Sequence, residues 1–262
     1  MRREERSLHN EDRIKKEWNC AAESWVDFVR TGKDYYRDGL NNPATFKLIG
    51  NLKSLVVLDL ACGEGYNTRI LARKGAKVTG VDFSEKLIRF AKQREDVERL
   101  GICYKVMDAA ELVKFANNHF DLVTCFMSLQ DIKNFKKAIS EVARVLKEGG
   151  RFIFSIPHPC FEKIRLNKHK GKISATERYF GTMKDTVNWN MKRLTKHFTT
   201  TSFHRTLTDY FNALYISKLL VKRLVEPRPK QAELKKYPEL QDVQATPQSV
   251  IIESIKYTRN IM

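Results

Sequence analysis

Three carboxylates stand at the ends of three successive apolar runs: Asp59 in Val56-Val57-Leu58-Asp59-Leu60, Asp82 after Val78-Thr79-Gly80-Val81, and Asp108 after Met107. An acid such as Asp82, 23 residues beyond Asp59, can accept both hydroxyls of a ribose. Asp108 can take a hydrogen bond from an adenine amino group. Residues that merely packed a strand end would be apolar. The turn Ala61-Cys62-Gly63-Glu64-Gly65 follows the first run. Its glycines let a ligand approach the backbone, and the helix start behind them favours negative charge. The combination describes a site for a nucleoside-bearing cofactor. A nicotinamide dinucleotide fits poorly, because the third glycine of its fingerprint would fall on Thr68.

Other side chains suit proton transfer or substrate contact. His158, in Ile156-Pro157-His158-Pro159-Cys160, follows the fifth apolar run and suits a general base, since imidazole titrates near neutrality. A rigid loop histidine bonded to backbone is the alternative. His204-Arg205 precedes a helical pattern and can face the same crevice. Tyr35 and Tyr36 can cap a cofactor or orient an acceptor, or simply pack. Gln130 and Asp131 follow the fourth run, where a helix cap is the plainer role for Asp131. Cys160 does not occupy the place of a cytosine-C5 nucleophile. The five cysteines form no C-x-x-C pair, so neither a disulfide framework nor a zinc site is indicated.

The elements that must position these groups are legible as a rhythm. Apolar runs at 55–60, 77–83, 102–107, 120–126 and 151–156 alternate with helical patterns at 67–74, 85–100, 111–116 and 135–147. Gly149-Gly150 reads as the stop of the last helix. Strand and helix in alternation predict a three-layer α/β fold: a doubly wound, mostly parallel sheet with helices on both faces. Residues 9–30 read as an amphipathic helix, and 157–203 as polar, aromatic and basic. Residues 207–220 then read as a helix, 223–226 as a short strand, 227–247 as a loop and 249–257 as the last strand.

The segments VLDLACGEG (57–65), VTGVDFS (78–84), DAAEL (108–112), FDLVTCFMSLQDI (120–132) and LKEGGRFIFSIPHPCF (146–161) resemble the class I, seven-stranded, Rossmann-like S-adenosylmethionine-dependent methyltransferases, in the family's order and spacing. FDLVTCFMSL, SIPHPCF and FHRTLTDYFNAL look like the broad microbial group acting on small molecules. The resemblance implies an antiparallel C-terminal strand and a cofactor site that includes Asp59. It implies that Ala61, Gly63 and Gly65 line the methionine part of S-adenosylmethionine, with Ala61 where the family often has glycine. Asp82 would hold the ribose and Phe83 would lie beside the adenine. Asp108 and Ala109 would read the adenine edge. The Cys125 backbone would lie near the cofactor's amino group, Phe126 and Met127 toward the acceptor, and Arg37 would pair with the methionine carboxylate. The products are the methylated acceptor and S-adenosylhomocysteine.

Four segments follow: an N-terminal helical lid (1–50), the cofactor core (51–160), a basic, aromatic substrate-covering insertion (161–205) and the remainder of the core (206–262). The net charge of +17 is uneven, with +5 in residues 1–150 and +12 in 151–262. That surplus favours an anionic or neutral acceptor over a cationic one. The leading expectation is an enzyme methylating oxygen or nitrogen of a small molecule, its acceptor pocket built from Trp189, Phe161, Tyr179, Phe180 and Phe198. A methyltransferase of RNA or a peptide would instead use Lys163, Arg165, Lys168, Lys170, Lys172, Lys192, Arg193 and Lys196, with Tyr179, to track phosphates or stack bases. A non-catalytic cofactor-binding regulator is the third class. The N-terminus has no apolar core of a signal peptide and no run is long enough to span a membrane. A cytoplasmic monomer or homodimer is expected.

Overall fold

The computed structural model describes residues 2–161, 179–190 and 194–257. The chain opens with helix α1 (Arg2–Arg30), a π-helical turn (Arg37–Asn41) and α2 (Asn42–Ile49). The alternating core follows: β1 (Val56–Leu60), α3 (Tyr66–Arg73), β2 (Lys77–Asp82), α4 (Glu85–Glu98), β3 (Cys103–Val106), β4 (Phe120–Phe126), α5 (Phe135–Val145) and β5 (Leu146–Pro157). Strands β6 (Met183–Trp189) and β7 (Phe198–His204) pair as a separate antiparallel ribbon. The core resumes with α6 (Leu207–Ile216), β8 (Leu219–Val225), α7 (Gln231–Lys236) and β9 (Ser249–Lys256).

Seven strands form one sheet in the order β3-β2-β1-β4-β5-β9-β8, and β9 runs antiparallel to both neighbours. Successive residues of the central strands feed opposite faces, as strand geometry dictates. Leu58, Val123 and Phe152 pack toward α5 and α6, while Val57, Leu122 and Ile153 pack toward α2 and α3. With both faces covered, these strands read as continuous apolar runs. The chain order reverses between β1 and β4, so a crevice opens beyond their carboxyl ends, where ligands bind in such sheets.

Several local expectations are corrected. Residues 111–116 form turns rather than a helix. Helix α5 ends at Val145, because Leu146 turns extended (φ −69°, ψ 139°) and its buried side chain joins the sheet. Gly149-Gly150 therefore lies in an irregular stretch of β5, where pairing with β4 jumps from Phe120↔Leu146 to Leu122↔Arg151. Residues 227–247 contain α7 and a 3-10 turn (Pro238–Val243), which bury Leu240 and Val243 against Leu40. Strand β8 is longer than 223–226, and the insertion carries the β6–β7 ribbon, which no apolar run announced.

Candidate cofactor and acceptor site

The glycine turn is strained to shape. Ala61, Gly63 and Gly65 all hold left-handed backbone, with φ of 54°, 58° and 82°. Ala61 tolerates a conformation that glycine adopts freely. A Cβ added at Gly65 would collide with the hydroxyl of Tyr104, which packs beneath the turn. A Cβ at Gly63 would meet nothing nearer than Trp25 Nε1 at 3.9 Å, so that side of the turn faces open space. Asp59 fastens the turn from below: Thr68 Oγ1 donates to Oδ2 at 2.6 Å and Thr124 Oγ1 to Oδ1 at 2.9 Å. Burial pushes the Asp59 carboxyl up to about 7.

Asp82 closes β2 beside this turn. The Gly63 N–H donates to its Oδ2 at 2.8 Å and the Ser84 N–H to its Oδ1 at 2.9 Å. Burial raises this carboxyl to about 6, against those two donors. Ser84 also caps α4, taking the Leu87 N–H at 3.2 Å. Asp108 receives the Ala110 N–H on Oδ1 at 2.7 Å, which curls the chain after β3 back toward the crevice. Phe83, Leu87, Met107 and Ala109 supply apolar wall around these carboxylates.

A cavity of about 510 Å³ occupies the crevice. Helix α1 roofs it with Ile14, Trp18, Trp25, Phe28 and Val29, a stripe at helical spacing. The ribbon adds Val187, Trp189, Thr200 and Ser202. All three tryptophans of the chain line this one cavity, with Trp25 in edge contact with Trp18 (5.6 Å) and with Trp189 (5.2 Å). The roof is bonded to what it covers. Glu17 accepts the Thr201 N–H at 2.8 Å, Asn19 Oδ1 accepts the Ser84 hydroxyl at 2.7 Å, and Arg30 Nε donates to Glu64 at 2.8 Å.

Phe126, Met127, Gln130, Asp131 and Ile132 line the cavity from the end of β4 and the segment after it. Met127 is left-handed (φ 47°), and its N–H donates to Ser155 O and Oγ, both at 3.0 Å. The following turn is clamped by Arg205, which is 2% exposed. Its guanidinium donates to the carbonyls of Leu129 (3.1 Å), Gln130 (3.4 Å), Ile132 (2.6 Å) and Lys133 (3.3 Å). Burial lowers the Arg205 pKa.

Most residues expected from the sequence converge here: Arg37, Asp59, Ala61, Gly63, Asp82, Phe83, Asp108, Ala109, Phe126, Met127 and Tyr35 line the cavity. Gly65 and Cys125 are not among the lining residues. The Arg37 guanidinium is already engaged, donating to Asp38 Oδ1 at 2.8 Å, Asp38 Oδ2 at 3.0 Å and Val29 O at 3.0 Å, over the Tyr66 ring. His158 and His204 are not among the lining residues. His158 is buried, its Nε2 paired with Glu226 at 2.9 Å and its Nδ1 accepting the Cys160 N–H at 3.2 Å, so both ring nitrogens are committed. Burial lowers its pKa although Glu226 opposes this. His204 Nε2 pairs with the Tyr179 carbonyl at 2.9 Å. Of the aromatics expected around the acceptor, Trp189 lines the cavity and Phe198 stacks behind it at 5.6 Å. Phe161 packs on His158, Tyr179 on His204, and Phe180 is exposed.

The basic residues 163–172 and 192–193 lie outside the described residues. The sequence reading missed Trp18, Trp25, Asp34 and Glu64. Asp34 lines the cavity, and burial raises its pKa from the ordinary carboxyl value, opposed by the Arg37 charge and amide. Among the described residues no cluster suits a metal ion, and no helix is long and apolar enough to cross a membrane.

An acid for ribose hydroxyls, an open glycine turn, a carboxylate after β3 and an apolar wall fit S-adenosylmethionine. Residues 58–154 match the methyltransferase domain family. The chain is 40% identical over 149 residues to a ubiquinone biosynthesis O-methyltransferase of Coxiella burnetii, covering 53% of this chain. It spans 63% of the length of that relative. A demethylmenaquinone methyltransferase of Leptospira interrogans is 39% identical over 103 residues, covering 38% of this chain and 41% of its own. The crystal structure of an S-adenosylmethionine-dependent methyltransferase from Mesorhizobium loti superposes with a TM-score of 0.67 at 25% identity, covering 81% of this chain and 96% of that one. Residues 58–154 thus match a methyltransferase domain, within a fold similar to that of S-adenosylmethionine-dependent methyltransferases.

Proposed function

We propose that this protein transfers the methyl group of S-adenosylmethionine to an oxygen or nitrogen of a small-molecule acceptor, releasing S-adenosylhomocysteine. The observation that carries this reading is Asp82, buried at the end of β2 and aligned by the Gly63 and Ser84 amides on the floor of a roofed cavity. When bound, S-adenosylmethionine supplies an electrophilic methyl on an excellent leaving group, so the chain's tasks are alignment, exclusion of water and acceptance of a proton. Asp82 holds the ribose end and Asp108 the base end. The α1 and ribbon roof excludes water. The Arg205-clamped segment presents Met127 and Gln130 to the acceptor, and Asp34 is the carboxylate placed to take the acceptor's proton.

The roof favours a small acceptor over a polymer, because α1 and the ribbon cover the crevice that a nucleic acid strand would have to enter. The O-methyltransferase name of the 40% relative supports an oxygen nucleophile. Calorimetry with S-adenosylhomocysteine, followed by assay of its release across phenols, catechols and carboxylates, tests the proposal. Absence of cofactor binding would refute it. Binding without turnover on that panel, combined with turnover on tRNA, would shift the reading to RNA.

A further inference from the structure

The expected partner for the carboxylate of the cofactor's amino-acid end, Arg37, is bound on two donors by Asp38 and on one by Val29. Lys33, which also lines the cavity, is paired with Asp27 at 3.1 Å. A different donor stands at the glycine turn. Trp25 Nε1 is the atom nearest the open side of Gly63, 3.9 Å from where a side chain there would begin. Among the described residues its indole N–H makes no hydrogen bond, whereas that of Trp189 donates to Thr200 Oγ1 at 2.9 Å. An indole N–H can only donate, so a cavity-facing one is matched by an acceptor entering the cavity.

We propose that Trp25 donates this hydrogen bond to the carboxylate of the bound cofactor's amino-acid end, so that helix α1 is part of the cofactor site and not only its roof. The inference rests on the cofactor reading above. The surroundings agree: the α3 amino terminus begins at Tyr66, directly after the turn, and adds unpaired backbone N–H groups favourable to an anion. The edge contacts of Trp25 with Trp18 and Trp189 and its packing beside Phe28 hold the ring in place, so little side-chain freedom is lost on binding.

Two ligands separate this bond from packing: S-adenosylhomocysteine, and 5′-methylthioadenosine, which has the same nucleoside without the amino acid. A hydrogen bond to a charged group predicts that Trp25→Phe weakens S-adenosylhomocysteine by about tenfold or more and leaves methylthioadenosine within about twofold. Equal losses for both ligands, or no loss for either, would overturn the proposal. A wild-type protein that bound neither would overturn the cofactor reading itself. A measurement on the wild-type chain avoids dependence on the variant's folding. With three tryptophans, the indole N–H region of a nitrogen-15 spectrum holds three peaks. The Trp25 peak should move downfield with S-adenosylhomocysteine and stay near its free position with methylthioadenosine. Matching shifts for the two ligands would count against the bond.

Discussion

Arg30 of the roof helix α1 reaches into the glycine turn and donates from Nε to Glu64 Oε2 at 2.8 Å, while Arg69 of α3 grips the same carboxylate from below at 2.9 Å. Glu64 and Arg69 are buried, but Arg30 keeps 31% of its side chain exposed. The two bonds should therefore differ in cost. Removing the Glu64 charge leaves buried Arg69 with only the longer ion pair to Glu98 at 4.0 Å, so Glu64→Gln should destabilise the protein by about 3 kcal/mol. Arg30→Ala should cost about 1 kcal/mol or less, yet loosen α1 enough to raise its proteolytic cleavage rate. Urea unfolding and limited proteolysis of the two variants check this order; equal stability losses would contradict it.

The carboxylates and glycines of the candidate site are legible in the sequence because their signals are local. Asp59, Asp82 and Asp108 each end an apolar run, and Gly63 and Gly65 sit in a turn whose geometry only a few residue types tolerate. The roof was hidden because Trp18 and Trp25 at helical spacing look like any buried helix face, and only the tertiary placement of α1 turns that face to a cavity. The ribbon was hidden for another reason. Along β6 burial alternates between half-buried and exposed residues, and its pairing partner β7 is supplied by residues with few large apolar side chains. His158 misled because its position after β5 suggested the crevice, whereas its side chain is spent on Glu226 and Cys160. Leu240 and Val243, three residues apart, were the faint sign of order within a stretch otherwise composed like a loop.

The glycine turn predicts opposite outcomes for two neighbouring substitutions. Gly65→Ala adds a methyl both to a left-handed residue and into the Tyr104 hydroxyl, so it should destabilise by about 2 kcal/mol or more. Ala61→Gly relieves a left-handed alanine worth about 1–2 kcal/mol, offset by about 0.4–1 kcal/mol of added unfolded-chain entropy, so the net change should be neutral to slightly stabilising. Thermal melts of both variants decide; a destabilised Ala61→Gly would mean the alanine methyl packs usefully.

Burial holds the Asp59 carboxyl at about 7, above the unfolded value near 3.8. The native state therefore keeps this proton where the unfolded chain has released it, and native stability falls as pH rises between about 4 and 7. Above that window the full penalty of the buried charge is present. Asp59→Asn keeps an oxygen for one threonine hydroxyl and removes the ionisation, so its stability should change less than wild type between pH 5 and pH 8. Urea midpoints at several pH values measure this, and a wild-type curve as flat as the variant's would contradict the assignment.

Asp82 makes the matching prediction for binding. Its carboxylate already accepts the Gly63 and Ser84 amides, and the charged form is the better acceptor for two further ribose hydroxyls. Binding should therefore favour the ionised state, whose free-protein pKa is about 6. Affinity for S-adenosylhomocysteine should be flat above pH 7 and weaken below pH 6, approaching tenfold per pH unit. Asp82→Asn should bind more weakly at pH 8 and lose the slope, because an amide has no proton to gain in this range. Asp82→Ala removes both acceptors and leaves the Gly63 and Ser84 amides unpaired beside the ligand, so it should lose about a hundredfold or more. Calorimetry from pH 5 to 8 on the three proteins measures all of this. An acid slope that persists in Asp82→Asn would transfer the titration to another carboxylate of the cavity and remove Asp82 as the residue that holds the ribose.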